Sequence, residues 1–166
     1  MGMQGEYEPL IQELLRLLRE EFGDRVRSLL VFGSVARGTA RPDSDVDVCL
    51  VLSELPVSRY RRHQLLGPVL ERLRQSAPYA DLIRRGYTPD VAAILYTPEE
   101  FQETKPIFLY LVEDAVLLHD DGTVRAKLDQ LRARMKTLGS RKIVLDDGTY
   151  YWLLKPGLRF GEVIEL

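Results

Sequence analysis

The most informative part of this 166-residue chain is the segment GSVARG at residues 33–38, followed after a short polar loop by SDVDV at residues 44–48. An apolar run at residues 26–32 ends immediately before the first segment, and a second apolar run at residues 46–52 overlaps the other. Both runs are short, rich in aliphatic residues and bounded by turn residues. They therefore predict two buried strands joined by a loop that carries polar and charged side chains.

Two carboxylates stand at the start of the second predicted strand. Asp45 and Asp47 are two residues apart, so the alternation of a strand places both side chains on the same face. Adjacent carboxylates repel each other unless a cation neutralises them, and hard oxygen ligands favour magnesium or manganese. The pair therefore predicts a binding site for a metal ion that also binds phosphate.

The turn after the first predicted strand favours an anion. Gly33 has no Cβ, so the backbone can approach a ligand closely there. Ser34 adds a hydroxyl, the amides of a following short helix would point towards an anion, and Arg37 adds a positive charge. A glycine-serine turn and a solvated aspartate pair are each common alone. Their occurrence together predicts a phosphate beside the metal, provided that the two strands are neighbours.

These motifs resemble the signature of the DNA polymerase beta-like nucleotidyltransferase superfamily, and in particular its minimal nucleotidyltransferase branch. The resemblance implies that Asp45 and Asp47 ligate magnesium. It also implies that a nucleoside monophosphate is transferred to a hydroxyl acceptor with release of pyrophosphate; ATP is the default donor because it is abundant. The residues assigned to the nucleotide site are Gly33, Ser34, Arg37, Gly38 and Ser44.

The superfamily pattern includes a third carboxylate on a later strand, which completes the metal site and helps to deprotonate the acceptor. The best candidate is Asp90, at the entrance to the apolar run at residues 91–96. The family places this acid within the strand, whereas Asp90 follows Pro89, so the alternative is that it only ends a loop. Asp81 fits less well, because it falls near the end of a predicted helix.

The remaining pattern predicts an α+β fold with two layers: a small mixed sheet with helices packed mainly on one face. Helical periodicity is present at residues 10–22, 65–73 and 124–138, and TPEE at residues 97–100 is a capping box. Residues 142–154 predict a β-hairpin with a turn at Asp147-Gly148. We place a nucleotidyltransferase core at residues 1–104 and a C-terminal helix and hairpin extension, packed on the same domain, at residues 105–166.

Composition narrows the classes of function. The net charge of −2 gives no basic surface for nucleic acid, and the basic run at residues 59–63 is interpreted as a solvated helix face. A helix that spans a bilayer needs about 20 apolar residues, and no stretch of the sequence approaches that length. The lone Cys49 and the absence of a signal-peptide pattern predict a cytoplasmic protein.

A second class of function is also open. Small members of the branch that this chain resembles act as antitoxins, paired with a helical HEPN ribonuclease. The resemblance therefore also predicts a nucleotide-binding protein that works with a HEPN-type partner without turnover. The sequence leaves open the acceptor, the donor base and the oligomeric state, with a dimer among the options.

Overall fold

In the part of the chain that the computed structural model describes, residues 3–146, 149–164 and 166, four strands form one mixed sheet. They are β1 (Val26–Phe32), β2 (Val46–Leu52), β3 (Val91–Tyr96) and β4 (Val116–Asp120), in the order β3-β2-β1-β4. β1 is antiparallel to β2 and to β4, and β2 is parallel to β3. The predicted α+β class and mixed sheet are confirmed.

One face of the sheet is covered by three helices from the first half of the chain: α1 (Glu8–Phe22), α3 (Arg59–Arg74) and α4 (Ala77–Arg84). A short helix, α2 (Gly33–Arg37), follows β1 directly. α1 is amphipathic, and the apolar residues at its three-four spacing are buried against the sheet. Every even-numbered residue of β2 joins this cluster: Val46, Val48, Leu50 and Leu52.

The other face is covered by α5 (Pro98–Gln102), α6 (Phe108–Asp114) and α7 (Thr123–Leu138). Their buried residues pack with Cys49 and Val51 of β2. The prediction of helices mainly on one face was therefore incomplete. The physical reason is that β2 is apolar at consecutive positions beyond Asp47, and a strand that is apolar on both sides needs cover on both sides. No helix in the described residues is long and apolar enough to cross a membrane.

The C-terminal hairpin consists of β5 (Arg141–Val144) and β6 (Tyr150–Leu153), which pair antiparallel. Its predicted turn, Asp147-Gly148, lies outside the described residues. Trp152 packs on the cluster beneath α5, α6 and α7. The division into residues 1–104 and 105–166 stays a prediction, and β4, from the second segment, completes the sheet of the first.

The structure differs from the sequence interpretation along the basic run at residues 59–63. Arg62 is buried, with 8% of its surface exposed, whereas Arg61 and His63 on either side of it are exposed. Its guanidinium donates two hydrogen bonds to the Glu100 carboxylate, at 2.6 and 2.7 Å, and another to the carbonyl of Pro56 at 2.6 Å. Burial is tolerated because the charge is paired and hydrogen-bonded. Arg62 therefore links α3 to α5 rather than facing solvent.

Candidate active site

The end of β1 and the start of β2 lie side by side. Phe32 pairs with Asp47 across the two antiparallel strands, so the turn that follows Phe32 begins beside the predicted metal ligands. The condition that the two strands be neighbours is met. The glycine-serine turn and the aspartate pair are separated in the sequence by a polar loop. The pairing of the strands therefore brings them together at one end of the two central strands.

Gly33 is required at this turn for two independent reasons. Its φ is +71°, in the left-handed region that residues with a Cβ rarely adopt. A Cβ on Gly33 would also overlap Oδ2 of Asp47 and lie 3.2 Å from the carboxyl carbon. The backbone of the turn is thus packed directly against the carboxylate.

The short helix α2 presents the signature residues from an anchored backbone. Val35 and Ala36 are buried in the core, whereas Ser34 and Arg37 are partly exposed. Gly38, with φ of +72°, ends the helix, and its amide donates to the carbonyls of Ser34 and Val35. The two buried residues fix the helix, so that its remaining side chains are held at the surface beside Asp47.

The loop from α2 to β2 is held by Ser44. The Ser44 hydroxyl accepts a hydrogen bond from the Arg41 amide at 2.9 Å, and the Ser44 amide donates to the Arg41 carbonyl at 3.0 Å. These bonds close a turn immediately before Asp45. Within the protein, the serine thus shapes the loop that delivers the aspartates, and its contact with nucleotide stays a prediction.

The two aspartates differ in environment. Asp45 is exposed and Asp47 is half-buried. Burial raises the pKa of Asp47 above its usual value, the neighbouring charge of Asp45 raises it further, and the Arg37 guanidinium opposes the rise. The pair is therefore a concentration of negative charge that a cation would relieve, with one positive side chain close by.

Asp90 lies beside this pair in the parallel ladder. Its carbonyl accepts from the Val46 amide at 2.7 Å, and the register Val46–Val91 carries it to the position next to Asp45. Its side chain is exposed. Among the described residues, no three or more His, Cys, Asp or Glu side chains are grouped so that they could hold a metal ion. The role of Asp90 as third ligand and base stays a prediction.

Sequence reasoning missed one residue of this region. Asp114, at the end of α6, accepts a hydrogen bond from Nη1 of Arg37 at 2.7 Å. The two residues are 77 positions apart, and the pattern around Asp114 contains no signal for this contact. Only the fold of α6 against α2 brings them together.

Known proteins resemble this chain in sequence. The family model described as "Nucleotidyltransferase domain" matches residues 11–144. A Methanocaldococcus jannaschii protein named "Putative protein adenylyltransferase MJ1305" is 39% identical over 141 residues, which cover 83% of this chain and 88% of that protein. Protein adenylyltransferase MntA of Thermococcus cleftensis is 45% identical over 51 residues, or 31% of this chain and 50% of its own length.

A solved structure also resembles the fold. Spectinomycin adenyltransferase AAD(9) from Enterococcus faecialis, with ATP and spectinomycin, aligns with a TM-score of 0.51 and 14% identity over 80% of this chain and 66% of its own. At this identity the likeness concerns the fold alone. The family model spans most of the chain, including both signature segments, and the Methanocaldococcus relative covers 83% of it. This chain therefore belongs to the nucleotidyltransferase domain family.

Proposed function

We propose that this protein transfers AMP from ATP to a hydroxyl group of another protein and releases pyrophosphate. The observation that carries the proposal is the contact of Gly33 with the Asp47 carboxylate, because it brings the turn proposed to bind phosphate next to the pair proposed to bind metal. Membership of the family supports nucleotidyl transfer. The names of the two relatives, both protein adenylyltransferases, support AMP as the transferred group and a protein as the acceptor.

The donor set at the site fits a divalent cation. Asp45 and Asp47 offer only carboxylate oxygens, they repel each other, and burial of Asp47 increases the need for a counter-charge. Magnesium, or manganese in its place, held by these residues would neutralise charge on the transferred phosphoryl group and on the pyrophosphate.

The residues around the pair have separate roles in the proposed reaction. Gly33 admits the triphosphate close to the backbone, and the Ser34 hydroxyl and the Arg37 guanidinium donate to its oxygens. The acceptor oxygen forms a bond to the α-phosphorus, the bond from that phosphorus to the bridging oxygen breaks, and its electron pair leaves with pyrophosphate. Asp90 is the proposed base that takes the hydroxyl proton.

The proposal is tested with ATP labelled at either the α- or the γ-phosphate. The protein, magnesium and a lysate of its own host are incubated with each, and proteins are separated by electrophoresis. We expect a band labelled from α-ATP, absent with γ-ATP and absent when EDTA is added. Label that comes from the γ-phosphate, or no label with any of the four nucleoside triphosphates, would contradict the proposal.

The alternative without turnover predicts a different result in the same assay. A nucleotide-binding antitoxin would bind ATP but release no pyrophosphate, and it would inhibit its HEPN-type partner equally well with a non-hydrolysable analogue. A small helical HEPN reading frame beside the gene would make that partner the first acceptor to test. If purified partner becomes labelled, the partnership and the enzymatic activity hold together.

The raised pKa of Asp47 predicts how metal binding depends on pH. A metal binds the ionised carboxylate, so protons compete with it, and affinity falls as pH is lowered through the pKa of Asp47. Because burial raises that pKa, we expect the loss to begin at a higher pH than for an ordinary aspartate. Binding of Mn²⁺ alone, followed by electron paramagnetic resonance from pH 3.5 to 7, measures it. The Mn²⁺ dissociation constant is determined at each pH, and a plot of its logarithm that bends at or below the usual aspartate pKa of about 3.9 would contradict the expectation.

A further inference from the structure

Asp114 is a nearly buried carboxylate at the end of α6. Its side chain is 8% exposed, and in the described part of the chain its ion pair is with Arg37 of α2. A buried carboxylate is costly unless a charged partner compensates for the lost water, so Arg37 cannot leave Asp114 without a large loss of stability. The nearly buried Asp114 carboxylate therefore holds the more exposed Arg37 guanidinium in place.

Arg37 can serve Asp114 and a ligand together. A guanidinium has five N–H donors, and the bond to Asp114 is made by Nη1. The Arg37 side chain is 36% exposed, so part of it faces solvent. Arg37 is the last residue of α2, the short helix that begins at Gly33, and the backbone of Gly33 lies against the Asp47 carboxylate. The guanidinium is thus held beside the proposed metal pair with donors to spare.

We propose that Asp114 is a positioning residue, which acts through Arg37 to hold the guanidinium where the triphosphate of the donor binds. The inference rests on the proposed function of the site. A free arginine would lose side-chain entropy on binding phosphate, whereas one already held by a buried carboxylate has lost it in the folded protein. Asp114 therefore contributes to donor affinity without touching the donor.

The test is a double-mutant cycle read by calorimetry with magnesium and α,β-methylene-ATP, which binds but cannot transfer AMP. We expect Arg37→Met to weaken binding about tenfold or more, the range for a hydrogen bond to a charged group, and Asp114→Asn to weaken it severalfold. Because Asp114 acts through Arg37, the double variant should bind no more weakly than Arg37→Met. Asp114→Glu should bind more tightly than Asp114→Asn.

Asp121→Asn is the matched control. Asp121 also pairs with an arginine, Arg27, but at the opposite end of β1, so its loss should leave affinity unchanged. Urea unfolding provides a second measurement: Arg37→Met removes the guanidinium that pairs with the nearly buried Asp114, so the double variant should be more stable than Arg37→Met alone.

Two results would overturn the inference. One is a folded Asp114→Asn protein that binds the analogue as tightly as the wild type; the other is a double variant whose loss of affinity is the product of the two single losses. The proposed function fails separately, if the wild-type protein does not bind the analogue or does not transfer label in the assay above.

Discussion

Replacing Asp47 with asparagine is expected to reduce AMP transfer by about 10³-fold or more. The substitution keeps the size of the side chain but removes the charge from the carboxylate that lies against Gly33. Metal stabilisation of a phosphoryl group amounts to several kcal/mol, and each 1.36 kcal/mol is tenfold in rate. Initial rates with α-labelled ATP, at saturating magnesium, measure the loss. Asp45→Asn should behave similarly, because the proposal gives the metal to both carboxylates.

Asp43→Asn is the control, since Asp43 is an exposed aspartate two residues before the pair. It should transfer AMP within about threefold of the wild-type rate, a margin that small surface effects do not exceed. Transfer that persists in the Asp47→Asn protein, or that falls equally in the Asp43→Asn protein, would place the metal elsewhere.

The Asp47→Asn variant should be no less stable to unfolding than the wild type when metal is absent. Burial raises the pKa of Asp47, so the folded protein holds its proton more tightly than the unfolded chain does. The stability that this group contributes is fully present below the usual aspartate pKa and is lost as pH rises through the raised value. Asparagine cannot ionise. The Asp47→Asn variant should therefore gain stability relative to the wild type as pH rises from the usual aspartate pKa through the raised pKa of Asp47. Urea unfolding in EDTA at several pH values measures the gain.

The sequence was informative where the decisive contacts are local. The strands β1, β2 and β3 were predicted with the bounds that the structure has, because each is an apolar run between turn residues. The sequence also predicted that the glycine-serine turn and the aspartate pair converge if the two strands are neighbours, and the pairing of Phe32 with Asp47 meets that condition.

The sequence was uninformative where a contact depends on packing between distant segments. Arg62 reads as part of a solvated basic run, and only α5, through Glu100, makes it a buried residue. Asp114 reads as an ordinary helix end until α6 packs on α2.

The start of helix α4 was missed for a different reason. Helical periodicity ends at residue 73, and Pro78 follows shortly after it, but proline also suits a first helical turn. The Ser76 side chain caps α4 by accepting a hydrogen bond from the Tyr79 amide.

Replacing Gly33 with alanine is expected to reduce the rate of AMP transfer by about 10²-fold or more while leaving most of the protein folded. Alanine at a φ of +71° costs roughly 1–2 kcal/mol, and its Cβ would overlap Oδ2 of Asp47. The carboxylate must rotate away, and a misplacement of about 1 Å at a reacting centre costs on the order of 10²-fold in rate. Gly86→Ala separates the two effects: Gly86 has a φ of +85°, and a Cβ there would meet nothing within 4 Å. Both variants should unfold at lower urea concentration than the wild type, but only Gly33→Ala should lose transfer and Mn²⁺ binding. Equal activity in the two would mean that the turn and the carboxylate do not form one site.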